Sequence, residues 1–154
     1  TIGWCRPVTT MLEFSPTHLA DFDATNLLGE SLGKAALAGE VIALVGDLGS
    51  GKTTMTQGIV RSLGYKSEVT SPTFSLVQEY RGGRLDVFHF DFYRVESDHE
   101  LLDLGWDDYL EQGGLVIVEW PALFPHLLPE GTIWIQLTHE NDGRLAKIIP
   151  GPCG

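Results

Sequence analysis

Val41-Ile42-Ala43-Leu44-Val45-Gly46-Asp47-Leu48-Gly49-Ser50-Gly51-Lys52-Thr53-Thr54 is the stretch on which the reading of this chain turns. Its first five residues form a continuous apolar run, too short for a helix and bounded by Gly39 and Gly46. That pattern predicts a strand buried on both faces at the centre of a sheet. From Gly46 onward the residues match G-x-x-x-x-G-K-[ST], the P-loop that joins such a strand to a helix. Glycines let the backbone wrap a polyphosphate closely, so that N–H groups and the positive end of the helix point at phosphate oxygens. In this pattern Lys52 reaches the β and γ phosphates of ATP and the Thr53 hydroxyl ligates Mg²⁺. Asp47, Leu48, Gly49, Ser50, Gly51, Lys52, Thr53 and Thr54 are the candidate nucleotide-binding set. A glycine-rich turn with an incidental lysine would carry the same letters, but without the strand before it and the amphipathic helix after it.

Working outward, Ala24, Leu27, Leu28, Leu32, Ala35 and Ala36 recur at helical spacing, which predicts a helix over 23–38 with Asp21 or Asp23 as N-cap and Gly39 as the stop. Met55, Ile59 and Leu63 give the face of a second helix over 52–63, ended by Gly64. Phe74 to Tyr80 and Arg84 to Asp91 are β-rich runs joined by Arg81, Gly82 and Gly83, which is hairpin chemistry. Residues 97–112 read as helical, Leu115 to Val118 as a short apolar strand, and Thr132 to Thr138 with Arg144 to Ile149 as a second hairpin around Glu140-Asn141-Asp142-Gly143. A β-prone run, Val8 to Phe14, precedes all of these. The expected fold is α/β, a P-loop NTPase arrangement with a mixed parallel and antiparallel sheet flanked by helices. The expected organisation is a single domain over 22–149, an N-terminal extension with a first strand over 1–21, and a tail over 150–154.

A P-loop site needs a carboxylate for Mg²⁺, and two strands end in one: Val87-Phe88-His89-Phe90-Asp91 and Leu115-Val116-Ile117-Val118-Glu119. Each acid would sit at the strand end where the crevice of an open α/β sheet collects ligands. Asp91 is the better metal-binding candidate, which leaves Glu119 to orient or deprotonate the attacking water, with metal contact open to either. Thr73, in Thr70-Ser71-Pro72-Thr73-Phe74, occupies a stretch where nucleotide switches place a threonine that senses the γ-phosphate. A turn opened by Ser-Pro explains the same residues. For His89 the expected role is a buried strand histidine satisfied by a neighbour rather than a catalytic group.

The composition narrows the partners. Ten Lys and Arg against 21 Asp and Glu give a net charge of −11, which repels phosphate backbones and disfavours stand-alone nucleic-acid binding. No window approaches the roughly 20 apolar residues of a bilayer span, so no membrane role is expected. The two cysteines, Cys5 and Cys153, lie near opposite ends and suggest neither a zinc site nor a disulfide framework, which fits a cytoplasmic, reducing compartment.

Four blocks now stand together in order: Gly46 to Thr54; Ser71-Pro72-Thr73-Phe74; His89-Phe90-Asp91-Phe92-Tyr93-Arg94; and Val118-Glu119-Trp120-Pro121. In this order and spacing, over roughly residues 22–149, the chain resembles the TsaE family of small bacterial ATPases. The resemblance implies an Mg-dependent ATPase needed for threonylcarbamoyladenosine modification of tRNA beside the anticodon. It also implies action with TsaB and TsaD, with ATP hydrolysis resetting the complex between turnovers and tRNA met only indirectly through that complex. By motif, Lys52 and Thr53 would be the P-loop residues, Thr73 the switch-like threonine, Asp91 the magnesium-associated acid, and Glu119 with Trp120 the pair needed for hydrolysis. Ser50 and Ala122-Leu123 depart from residues common in the family at those positions.

Two other classes share the P-loop. A small-molecule kinase would usually carry a lid of clustered arginines, whereas Arg81, Arg84, Arg94 and Arg144 form no run. A nucleotide-sensing assembly protein would bind ATP with little turnover and leave Glu119 structural. No Asn-Lys-x-Asp motif occurs, which favours adenine over guanine. Finally, Glu96, Asp98, Glu100, Asp103, Asp107, Asp108 and Glu111 form an acidic stretch free of Lys and Arg. A solvated helix face accounts for it, and so would a docking face for a basic partner with Trp106 and Tyr109 as anchors.

Overall fold

A computed structural model of the chain describes residues 4–5, 16–47, 51–65 and 76–152. The chain runs through β1 (Trp4–Cys5), β2 (Thr17–Leu19), α1 (Phe22–Ala35), β3 (Val41–Gly46) and α2 (Lys52–Ser62). It continues through β4 (Val77–Tyr80), β5 (Val87–Asp91), α3 (Asp98–Leu104), α4 (Trp106–Glu111) and β6 (Leu115–Glu119). Two 3₁₀ turns lead into β7 (Ile133–Glu140), β8 (Gly143–Ile149) and β9 (Gly151–Pro152). Seven strands form one sheet in the order β2-β8-β7-β3-β6-β5-β4, and β1 pairs with β9 separately. Strands β5, β6, β3 and β7 run parallel; β4 and β8 run against them, and β2 pairs antiparallel with β8 at the edge. The fold is therefore α/β with a mixed sheet, and β3 is its central strand. Among the described residues no helix is long and apolar enough to cross a membrane.

The period of two along a strand divides the core into two sides. Ile42, Leu44, Leu115, Ile117, Ile133 and Ile135 face α1 and α2, where they meet Leu32, Met55, Ile59 and Leu63. Val41, Phe88, Phe90, Val116 and Val118 face the other way, onto Leu101 and Trp106 of α3 and α4. On that side the rings of Phe90 and Phe92 meet Trp106 edge to face, with centroids 4.9 and 5.5 Å apart, the arrangement ring quadrupoles favour.

Helix α1 begins where expected, with the Asp21 carboxylate accepting the Ala24 N–H. Of its expected face Leu32 and Ala36 are buried and Ala24 and Leu28 pack on the core, but Leu27 and Ala35 are exposed and residues outside that set are buried. Thr25, Gly29, Leu32 and Gly33 are buried, whereas Leu27 is 61% exposed. The cause is close packing on α2. A Cβ on Gly29 would strike the Met55 carbonyl, and one on Gly58 the Asn26 carbonyl, so the two helix backbones touch through glycine. The helix also stops at Ala35 rather than continuing to 38, because Ala36 is extended and the Glu40 carboxylate takes the Leu37 N–H.

Two further expectations are corrected. The 97–112 stretch is two helices, broken at Gly105, whose φ of +104° no helix interior accepts. The proposed anchor Trp106 is 1% exposed and donates its indole N–H to the Leu127 carbonyl, so it belongs to the core. Tyr109 is half-buried and donates to Glu79. The acids Asp103, Asp107, Asp108 and Glu111 are exposed, as a solvated face requires. The β-prone run Val8 to Phe14 lies outside the described residues.

Candidate active site

Strand register assembles the site. Leu44 of β3 lies beside Glu119 of β6, which lies beside Asp91 of β5. Both acids thus occupy the carboxyl edge of the parallel strands, next to the point where β3 passes through Gly46 into the loop. Along β5, Val87, His89 and Asp91 share the face that looks toward α2, and along β6 Leu115, Ile117 and Glu119 do the same. Gly51 adopts φ +101° immediately before α2, a left-handed turn that glycine makes without strain. It brings Lys52 back to the strand end as the first helical residue.

The Lys52 ammonium donates to the Gly46 carbonyl at 2.5 Å and to the Asp47 carbonyl at 3.3 Å, and it sits 4.1 Å from the centre of the Trp120 ring. Burial lowers the Lys52 pKa from its ordinary value, against the opposing pull of Glu119, then Asp91, then Asp47. All three carboxylates are thus within electrostatic reach of one ammonium. Trp120 reaches it because its backbone is left-handed, φ 59° and ψ 44°, a conformation that costs a tryptophan about 1–3 kcal/mol. Pro121 then opens a 3₁₀ turn, the Glu119 carbonyl accepts the Phe92 N–H at 3.0 Å, and Tyr93 packs on the Trp120 ring at 5.0 Å.

The two acids stand in different surroundings. Asp91 is half-buried; desolvation raises its pKa, opposed by the Tyr93 N–H it accepts and, more weakly, by His89 and Lys52. Glu119 is 4% exposed, and its Oε2 lies 2.6 Å from His89 Nε2. His89 is wholly buried, as expected, and its Nε2 pairs with an acid thirty residues away that no local pattern indicates, but its Nδ1 has no hydrogen-bond partner among the described residues. The Tyr93 contact with Trp120 had also been missed. The signal for His89 was a lone polar residue between Phe88 and Phe90 in an apolar strand.

Lys52, Asp91, Glu119 and Trp120 are thus brought together, with Asp47, Gly51, Thr53 and Thr54 on the loop and first turn beside them. Leu48, Gly49, Ser50 and Thr73 lie outside the described residues. Among the described residues no group of three or more His, Cys, Asp or Glu could hold a metal ion. One or two carboxylates with a hydroxyl suffice for Mg²⁺, which keeps most of its shell as water and phosphate oxygen. The donors Thr53, Asp91 and Glu119 are all oxygen, which fits that hard cation. Desolvation of Asp91 is also a cost that a cation would relieve.

Comparison with known proteins identifies the family. The family described as "Threonylcarbamoyl adenosine biosynthesis protein TsaE" matches residues 19–147. A relative from Nostoc sp., the tRNA threonylcarbamoyladenosine biosynthesis protein TsaE, is 38% identical over 148 residues, covering 94% of this chain and 91% of its own. The protein of the same description from Bacillus subtilis is 38% identical over 120 residues, covering 78% and 75%. The crystal structure of Bacillus subtilis YdiB superposes with a TM-score of 0.77 at 29% identity, covering 93% of this chain and 89% of that one. With the family match spanning most of its length, the chain belongs to the TsaE family.

Proposed function

We propose that residues 22–149 act as one Mg-dependent ATPase domain serving threonylcarbamoyladenosine modification of tRNA, as the names of its relatives describe for those proteins. The observation that carries the reading is the convergence of Lys52, Asp91 and Glu119 where β3 passes into the start of α2. An ammonium and a helix N-terminus bind a polyphosphate, while the two acids beside them serve a cation and a water.

In this reading the loop Asp47 to Thr54 wraps the phosphates of ATP. Lys52 exchanges the Gly46 and Asp47 carbonyls for phosphate oxygens. Bound Mg²⁺ would neutralise charge on those oxygens; Thr53 and Asp91 are the residues to hold it, with Glu119 in reach. Glu119 orients or deprotonates the attacking water, and Trp120 shields the Lys52 side of the site from solvent. Thr73 is assigned the γ-phosphate sensor by its motif.

The partners in this reading are TsaB and TsaD, with tRNA held by them and not by this acidic chain. Hydrolysis can reset such a complex only if ATP and ADP states differ in partner affinity. The test is ATP turnover by the isolated protein, with and without TsaB and TsaD from the same organism, alongside pull-downs in ATP and ADP. Expected are turnover that requires magnesium, association that changes with the nucleotide, and negligible binding of bare tRNA near physiological salt. Tight tRNA binding by the lone protein, or partner affinity indifferent to the nucleotide, contradicts the reading.

A further inference from the structure

We propose that His89 is a positioning residue for Glu119: it fixes the carboxylate that the proposed ATPase uses to activate water. The proposal rests on that reading of Glu119.

The imidazole reaches Glu119 diagonally across the parallel β5–β6 ladder, since His89 is paired with Ile117 and Asp91 with Glu119. Both side chains are almost wholly removed from solvent, at 0% and 5%, and the Nε2 to Oε2 distance is 2.6 Å, in the short range of charge-assisted bonds. His89 Nδ1 is buried with no hydrogen-bond partner among the described residues. With Glu119 ionised, as the proposed mechanism requires, its carboxylate can only accept, so Nε2 is the donor of this pair.

Fold stability does not call for this pair. Val87, Leu115 and Ile117 line the same face, and residues of their kind at both 89 and 119 would avoid burying an imidazole beside a carboxylate, whereas removing the imidazole alone strands a buried acid. What the pair supplies is orientation. A glutamate side chain rotates about three bonds; pinning one oxygen to a ring locked between strands sets the plane of the whole carboxylate. Reaction geometry is steep in such displacements, with misplacement of about 1 Å costing on the order of 10²-fold.

The experiment compares wild type, His89→Leu and His89→Gln for ATP affinity, kcat and the ¹⁵N spectrum of the imidazole. His89→Leu should lower kcat by about 10- to 100-fold, the range for removing a group that orients a working ligand, while ATP affinity stays near wild type. His89→Gln, whose amide can still donate to Oε2, should restore most of the loss. The wild-type spectrum should show a protonated Nε2 at His89, with the Nε2 signal moving in Glu119→Gln. Unchanged kcat in His89→Leu, affinity falling in step with kcat, or no rescue by Gln overturns the proposal. If the wild type binds ATP without turning it over, alone or with its partners, the hydrolysis reading is what fails. The positioning claim is then decided by the spectrum, and an Nε2 signal indifferent to Glu119→Gln overturns it.

Discussion

Replacing Gly58 by Ala sets two physical effects against each other. In an ordinary helix interior the change removes backbone freedom from the unfolded chain and stabilises by about 1 kcal/mol. Here the new Cβ would overlap the Asn26 carbonyl oxygen of α1 and lie 3.0 Å from both Asn26 Oδ1 and Glu30 N. The carbonyl and the amide are helix backbone and cannot rotate away. Relief needs α1 and α2 to separate by on the order of 1 Å, which loosens the contacts of Leu32, Met55 and Ile59. Overpacking of this kind costs about 1–3 kcal/mol. Set against the propensity gain, the net is a loss of about 0–2 kcal/mol, or a melting temperature lower by up to roughly 8 °C for a chain of this size. Urea and thermal denaturation monitored by far-UV circular dichroism would read it, with an unchanged m value showing that the native state stays compact. Gly29→Ala, which strikes the Met55 carbonyl on the same seam, should show a similar loss, and the double variant should lose less than the sum because one separation relieves both. A Gly58→Ala protein more stable than wild type by the full propensity gain of about 1 kcal/mol would refute the backbone contact between α1 and α2.

Other predictions concern the site. Lys52→Ala should abolish ATP turnover and sharply weaken ATP binding by calorimetry; unchanged affinity would remove the phosphate assignment. Glu119→Gln should keep ATP binding and lose about 10²-fold or more in hydrolysis, while Asp91→Asn should raise the magnesium concentration needed for half-maximal rate; the reverse pattern would exchange their roles. Asp91 also makes a stability prediction. Its pKa is raised in the folded protein, so the native state holds the proton more tightly than the unfolded chain, and stability falls as pH rises from the ordinary aspartate value through the raised one. At neutral pH, without nucleotide or magnesium, Asp91→Asn should therefore melt higher than wild type, with the gain shrinking as pH is lowered below that window. A lower melting temperature would mean that Asp91 is held favourably as an anion.

Much of this arrangement is legible in the sequence where a local rule decides it. The run Val41 to Val45 could only be a buried strand, Gly51-Lys52 could only begin the next helix, and Asn141-Asp142 closes its hairpin with Asn141 at φ 51°, the conformation such turns demand. What escaped the sequence depends on elements meeting in space. Periodicity counts apolar side chains and so finds Leu28, Leu32 and Ala36 on the face of α1, but it cannot see that the face also depends on the absence of side chains at Gly29 and Gly33. Gly105 reads as a tolerated glycine within a helical pattern until its φ shows a break. Trp106 looked like a surface anchor because acids flank it, yet the ring turns inward against Phe90 and Phe92. The bond from His89 to Glu119 depends on the β5–β6 register, which no local pattern states.

The seating of Trp120 on Lys52 gives the protein an optical reporter at its own site. Indole emission responds to charge within a few ångströms, and here a single ammonium stands 4.1 Å from the ring. Trp106 and Trp134 are sealed in the interior at 1% and 5% exposure, away from any exchange of partners by the lysine. Under the proposed function, an anion that draws the ammonium off the ring should change the field at Trp120 while leaving Trp106 and Trp134 unmoved, so loop occupancy should register as a change in intrinsic fluorescence, in real time and without a label.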